Sequence, residues 1–432
     1  MREPPMPREL RELLTFDDVV LVPGLATVEP SEVDLTSKFT SNIEVYIPLV
    51  SSPMDTVTDW RLAVALARLG SIGVIHRNMS VEDQVAQVKL VKKSNPSPWA
   101  EVARASLGED VRDVVFRVEE LQVGAAIIFS EGAPVGFTIL DMVNPEFWAG
   151  KALGFIRLLR EYKPMPVLDD DGRLRVGAAI SPFDLARAKA LDEAGVDALV
   201  VDVAHAHNVN VISSVARIAR EVSADIIVGN LGTRESVLEV ASRVERISGL
   251  RVGIASGSIC STAEVTGAFM PTLTAVMEAR AALEELGLHG KIPIIADGGF
   301  RNAGDIAKAI VAGASVAMSG RLFAGVEEAV GVKVRVGSRV YKQYRGMGSR
   351  GAMERRYALD RYSKPSKSIE EGVEGLVPYE GSVVEVLAEI VAGLKAALGY
   401  AGAHNVESAW KARLARVTSA GIREAKPHDV TL

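Results

Sequence analysis

The chain has one cysteine in 432 residues. No intrachain disulfide can form, and the composition suits a reducing cytoplasm. No block of lysine or arginine stands out, and the net charge is −6. A general nucleic-acid or membrane-surface role is therefore not expected. A site for one small phosphate stays open, because phosphate binding needs local backbone geometry rather than a basic surface. No apolar run approaches membrane-spanning length. The first residues, MREPPMPRELRELLTFDD, mix both charge signs and lack the apolar centre of a signal peptide. The expectation is a soluble cytoplasmic protein with neither a nucleic-acid nor a membrane partner.

Hydrophobic residues make up 48% of the chain, enough for a substantial core. They gather in eight short runs: IPLVSSPMD (47–55), SIGVIHR (71–77), VGAAIS (176–181), ALVVDVAHAH (198–207), DIIVGNLGT (225–233), RVGIASGSIC (251–260), IPIIADGG (292–299) and SVAMSGR (315–321). Between the later runs lie helical patterns such as SPFDLARAKALDEAG. Continuous apolar strands alternating with helices predict a parallel sheet covered on both faces. Eight such units predict an α/β fold of the (β/α)8 TIM-barrel type.

One interval is too long for a connection. After a predicted helix from Val81 to Lys93 and the break Asn95-Pro96-Ser97-Pro98, the chain carries strand signals of its own, GAAIIF and APVGFTI, and an acidic turn at Asp169–Gly172. Residues 97–170 are read as a small inserted subdomain, with 1–96 and 171–432 forming the barrel, flap and tail; an elongated loop is the alternative. Beyond the eighth run, residues 332–344 alternate around Gly337-Ser338 and predict a hairpin. The Gly- and charge-rich stretch that follows is expected to be mobile. A closing helix is expected over 381–399, and the polar tail 418–432 suits a partner-binding arm.

In this barrel type the active site lies at the C-terminal ends of the strands. Those ends carry Ser51, Ser52 and Met54; Asp202, His205 and His207; Asn230; Gly257 to Thr262; Asp297-Gly298-Gly299; and Gly320-Arg321. Loops after strands seven and eight form the usual phosphate site of the fold, and glycines there let backbone N–H groups approach phosphate oxygens. Asp297 suits a ribose hydroxyl. A nucleoside monophosphate or a sugar phosphate fits, with ordinary turn glycines as the alternative. Cys260, read as the end of the sixth strand, sits in a polar turn whose donors favour a thiolate and hence attack on an electrophilic carbon. A lone cysteine is otherwise a small buried hydrophobe. His205 and His207 form a conceivable metal pair, but nothing nearby completes it, and structural or ligand-contacting histidines are the stronger reading.

The segments LTFDDVVLVP, IPLVSSPMDTVT, GVIHRNMS, GSICST, PIIADGG, YRGMGSRGAM, EGVEGLVPYEG and SAGIREAKPHDV resemble, in the same order, the IMP dehydrogenase and GMP reductase family. The resemblance covers the chain apart from about residues 97–170. It implies a TIM barrel that oxidises inosine monophosphate with NAD through a covalent thioimidate on Cys260, followed by hydrolysis under a mobile flap. Ser258, Asp297, Gly298, Gly299, Gly320, Arg321, Tyr344, Arg345, Gly346, Met347, Gly348 and Glu371 would hold the substrate, and Ser52 and Met54 would line the base pocket. Asp202, Asn230, Gly253, Ile254 and Ala255 would face NAD. Thr262 would sit by the reacting base, and Arg361-Tyr362 would be the flap pair that activates water. A base role for Arg361 requires unusual local stabilisation, since arginine is effectively always protonated. A homotetramer is implied. So is a potassium ion held by carbonyls of Ala255, Gly257 and Cys260 and by Glu424, Ala425 and Lys426 of the partner subunit.

The chain also departs from the family pattern. Glycine is usual where Ala255 stands, threonine where Ser261 stands, and a small serine where Arg321 stands. The flap is about two residues short, and its Arg-Tyr pair is followed by Ser363-Lys364. The insert resembles one degenerate cystathionine-β-synthase-like unit, over 105–145, rather than a tandem pair. Lys426 replaces an expected neutral or histidine side chain. Its ammonium would take the place of potassium, unless it points to solvent and the ion still binds. Reductive deamination of guanosine monophosphate with NADPH, and nucleotide binding without turnover, stand as the rival functions.

Overall fold

Each of the eight apolar runs contributes one parallel strand to the centre of the structure, a computed structural model that describes residues 10–355, 357 and 369–427. The strands are β1 (Leu49–Ser51), β2 (Val74–Ile75), β3 (Gly177–Ile180), β4 (Ala198–Val201), β5 (Asp225–Leu231), β6 (Gly249–Val252), β7 (Ile294–Asp297) and β8 (Val316–Ser319). They pair in the order 1-8-7-6-5-4-3-2, and a parallel bridge from Ser51 to Gly73 brings β1 and β2 together. With the intervening helices this is the expected (β/α)8 barrel.

Both faces of the strands are buried, which is why they read as unbroken apolar runs. In β4, Leu199 and Val201 join the cluster shared with the helices. Ala198 and Val200 join an inner cluster with Val50, Val74, Ile227, Ile295 and Met318. A hairpin of Ser37–Lys38 and Glu44–Val45 adds Phe39, Ile43 and Val45 to that inner cluster. It is tied to the starts of two strands: Ser41 N donates to Ser248 O (2.8 Å), and Ser37 Oγ donates to Ser315 O (2.7 Å). The N-terminal mouth is thus closed, and chemistry is left to the opposite mouth.

The segment 97–170 leaves the barrel between β2 and β3. The helix before it runs Val81–Lys93 as predicted, capped by Ser80. The strands Ala103–Ser106, Ala125–Ser130 and Ala133–Ile139 form a separate three-stranded sheet, on which Val114 and Val118 of the helix Val111–Leu121 make a small cluster with Ala103, Ala105 and Ala126. The middle strand also joins the main core, through Ala125, Ile127 and Phe129, and so does the helix Pro145–Glu161. It packs along the closing helix Val383–Tyr400, and its Phe155 and Leu158 belong to the main core. Gly154 allows the approach, since a Cβ there would lie 2.7 Å from Glu385 Cγ. Lys151, on the same helix, is buried against Glu101 (2.7 Å) and Glu328 (3.7 Å).

After β8 the predicted hairpin forms from Lys333–Val336 and Arg339–Arg345, with Gly337 at φ +61°. A third strand, Glu374–Pro378, pairs with its second arm; the sequence reading did not include it. In the tail, Arg413–Arg416 pairs with Val19–Val22, and Ser419–Glu424 is helical. The flap pair Arg361-Tyr362, with residues 356 and 358–368 of the stretch expected to be mobile, and the last five residues of the tail lie outside the described residues. Among those described, no helix is long and apolar enough to cross a membrane.

Candidate active site

A cavity of about 610 Å³ opens at the C-terminal ends of the strands. One wall is the loop after β6. The strand ends at Val252, so Cys260 lies eight residues beyond it and not at the strand end as the sequence reading had it. Gly253 starts the turn at φ +118°, where a Cβ would meet Asp297 O and Thr272 Oγ1 at 2.9 Å. Ala255 takes a left-handed φ of +60°, a conformation that costs alanine more than glycine. Cys260 N donates to Gly257 O (3.0 Å), and a second segment straps the loop in place. Ser261 N donates to Glu371 O (3.1 Å), Val373 N donates to Ile259 O (3.1 Å), and Cys260 forms a bridge with Gly372.

The half-buried Cys260 thiol donates to Thr262 Oγ1 (3.2 Å), whose hydroxyl donates to Glu371 Oε2 (3.0 Å). A sulfur facing a cavity is therefore joined through one hydroxyl to a buried carboxylate. Such a chain can carry a proton away from the thiol and bring it back.

Gly298 and Gly299, with φ of +80° and +84°, turn the chain after β7. A Cβ at Gly298 would lie 3.3 Å from Gly257 N, so the close approach of the two loops needs glycine. At Gly320 a Cβ would lie 2.5 Å from Met54 Sδ and 2.9 Å from Tyr344 Oη. Burial pushes the Tyr344 phenol up to about 12 against the opposing pull of a hydrogen bond with Ser258. It stays a neutral donor at this wall. Arg321 lines the same wall and pairs with Glu380. Ser52, Met54, Gly346, Met347 and Gly348 complete this side, and Ile254 and Asn230 lie toward the β6 loop.

Asp297 is held by a residue the sequence reading missed. Arg251 Nη2 reaches Asp297 Oδ2 at 2.8 Å, and its Nη1 reaches Asp202 Oδ1 at 3.0 Å. Asn230 Nδ2 also donates to Asp297 Oδ2 (2.8 Å). The signal was a charged residue inside an otherwise apolar strand. Asn230 is buried and lines the cavity, and its Oδ1 has no hydrogen-bond partner among the described residues.

Two expected contact residues stand back from the cavity. Asp202 has no exposed surface and pairs with Arg251 and Arg77. Arg345 turns away to the buried Asp55, with contacts of 2.6 and 3.0 Å. The N-terminal segment also supplies lining that was not expected: Phe16 packs on Phe300 with ring centroids 5.2 Å apart, and Asp17 pairs with Arg301 (2.6 Å). Arg301, with a smaller contribution from Lys426, holds the Asp17 carboxyl below its ordinary value. Lys426 thus lies near Asp17 of its own chain, following Glu424 and Ala425 at the end of the last helix. His207 hydrogen-bonds Glu239 (2.7 Å), and no group of three metal-capable side chains occurs among the described residues.

The profile of the IMP dehydrogenase / GMP reductase domain matches residues 13–428. An inosine-5′-monophosphate dehydrogenase of Korarchaeum cryptofilum is 44% identical, the match covering 96% of each chain. One of Thermoplasma acidophilum is 39% identical over 98% of this chain and 96% of its own. Among solved structures, a GMP reductase of Trypanosoma brucei in complex with guanosine 5′-monophosphate superposes with a TM-score of 0.75 at 30% identity, covering 98% of this chain and 99% of that one.

Proposed function

The chain belongs to the IMP dehydrogenase / GMP reductase family, and from that premise we propose that it oxidises inosine 5′-monophosphate to xanthosine 5′-monophosphate with NAD. The observation that carries this reading is the line Cys260–Thr262–Glu371 inside a cavity that also holds the glycine turns of a phosphate site. The Cys260 proton passes through Thr262 toward Glu371, and the sulfur bonds to C2 of the purine. NAD supplies the acceptor for the hydride that leaves C2. Water then attacks the resulting thioimidate, its oxygen bonds to C2, and the C–S bond breaks to return the thiol.

Ser258, Gly298, Gly299, Gly320, Arg321 and Tyr344 are assigned to the phosphate and Asp297 to the ribose. Ser52, Met54, Gly346, Met347, Gly348 and Glu371 are assigned to the base. Asn230 suits a carboxamide, because its buried Oδ1 offers an acceptor with no partner among the described residues; Gly253, Ile254 and Ala255 stand beside it. Asp202 and Arg345 act from behind, through Arg251 and Asp55. Arg361-Tyr362 activate water by resemblance alone. The homotetramer and the potassium site of Ala255, Gly257 and Cys260 with Glu424, Ala425 and Lys426 of the partner subunit rest on the same resemblance. A cytoplasmic setting suits a catalytic thiol that must stay reduced.

The test is absorbance of the reduced cofactor with inosine monophosphate plus NAD, and separately with guanosine monophosphate plus NADPH. NADH formation in the first alone supports dehydrogenation. NADPH loss in the second alone supports reductive deamination, and silence in both with tight nucleotide binding means that turnover has been lost.

A further inference from the structure

Arg321 carries a charge on the cavity wall, and its partner does not belong to the cavity. Its Nη1 meets Glu380 Oε1 at 3.2 Å, and the two side chains are 34% and 32% exposed. Arg321 lines the cavity beside Ser258, Gly299, Gly320 and Tyr344, whereas Glu380 is absent from the lining. An ion pair this exposed is held weakly. A guanidinium fork on a phosphate inside a cavity is held more strongly.

Glu380 is fixed from the backbone. Glu380 N donates to Gly325 O (2.9 Å), Glu327 N donates to Gly381 O (2.7 Å), and Tyr379 N donates to Val340 O (3.1 Å). A Cβ on Gly325 would come within 2.4 Å of Pro378 O, so the two loops are in close contact. The Glu380 backbone is thus held outside the cavity lining, while the long Arg321 side chain reaches into it.

We propose that Glu380 is a placeholder for the substrate phosphate: it holds Arg321 in the free site, and a phosphate monoester dianion takes the guanidinium from it. Glu380 and Arg321 together set how strongly the site prefers a nucleotide to the uncharged nucleoside. The inference rests on reading the cavity as a purine-nucleotide site and adds to that reading a competing internal anion. The exchange follows the charge on the phosphate. Affinity falls as the phosphate loses its second charge, near pH ~6.

The test is calorimetric binding of inosine monophosphate, inorganic phosphate and inosine to wild type, Arg321→Ser and Glu380→Gln, with thermal melts confirming the fold. Arg321→Ser is expected to weaken inosine monophosphate by roughly ten- to a hundredfold. Glu380→Gln is expected to tighten it, and phosphate with it, by about 1.4- to fivefold, the range of an exposed pair. Inosine should not respond to either change. Unchanged or weaker nucleotide binding in Glu380→Gln overturns the placeholder, as does a nucleoside that responds like the nucleotide. Failure of wild type to bind inosine monophosphate, by contrast, overturns the nucleotide reading itself.

Discussion

The Asp55–Arg345 pair offers a measurable test of how the substrate segment is held. Asp55 has a fully buried side chain, and that of Arg345 is 11% exposed. The fork is bidentate, Nε to Oδ1 at 3.0 Å and Nη2 to Oδ2 at 2.6 Å, with Asn78 Nδ2 adding a third donor at 2.7 Å. Burial works against the Asp55 charge, but Arg345 and Asn78 outweigh it and hold the carboxyl below its ordinary value of 3.8. Asp55→Ala strands a guanidinium in a nearly dry site, which costs about 3–5 kcal/mol. Arg345 directly precedes Gly346–Gly348 and follows Tyr344, all at the cavity, so part of that cost should appear as detachment of this segment. The KM for inosine monophosphate would then rise, with ~1.4 kcal/mol of the cost giving tenfold, while kcat falls less. Asp55→Ala/Arg345→Met should recover part of the stability lost in Asp55→Ala, because no unpaired charge is left. The sign with pH follows from a depressed carboxyl. The contribution is complete above the unfolded value of 3.8 and is lost only as pH falls through the lower folded value. The assays are denaturant unfolding and steady-state kinetics on the same preparations. An Asp55→Ala enzyme within about 1 kcal/mol of wild type, with unchanged KM, would refute the role given to the pair.

Cys260→Ser is expected to abolish NADH formation while nucleotide binding persists; substantial turnover by the pure variant rules out the nucleophile. Burial pushes the His76 imidazole down to about 4; stability should therefore fall as pH drops from 6.5 toward 4, and a His76→Gln enzyme should lose that part of the slope in a melt-versus-pH series. Deleting about 103–141 behind a short linker should leave a soluble, active enzyme with a lowered melting temperature, since Ala125, Ile127 and Phe129 leave the core. Deleting the whole of 97–170 should cost stability, because it also removes Phe155 and Leu158 from the core and Lys151 from Glu328; equal melting temperatures for the two deletions would disprove that division. If Lys426 of the partner subunit fills the cation position, wild-type activity is indifferent to potassium and only Lys426→Ala becomes activated. Strong activation of wild type would mean that the ammonium stays with Asp17 instead.

The barrel was legible because its two-sided burial leaves a plain signature. Ile294-Ile295-Ala296 and Ala198-Leu199-Val200-Val201 are apolar at every position since alternate residues serve two different cores. The same signature misplaced Cys260. The glycines and small residues after Val252 continue the apolar run in composition, but Gly253 and Ala255 take positive φ and end the strand. Motif residues were found where the motif itself touches the cavity, as with Ser258, Gly298 and Gly299. A motif does not say which way a side chain points. Arg345 was read with its glycine neighbours as a ligand, yet strand alternation sends Tyr344 to the cavity and Arg345 to Asp55. Arg251 is the converse case: a charge inside the apolar strand LRV marks it as unusual, but its role is set only when β4 and β7 bring Asp202 and Asp297 to either side of it. A buried charge is informative only together with its partners, and these lie 49 and 46 residues away along the chain. The residues most exposed to misreading are therefore those whose partners are supplied by the fold, and here they are the ones that hold the contacting residues in place.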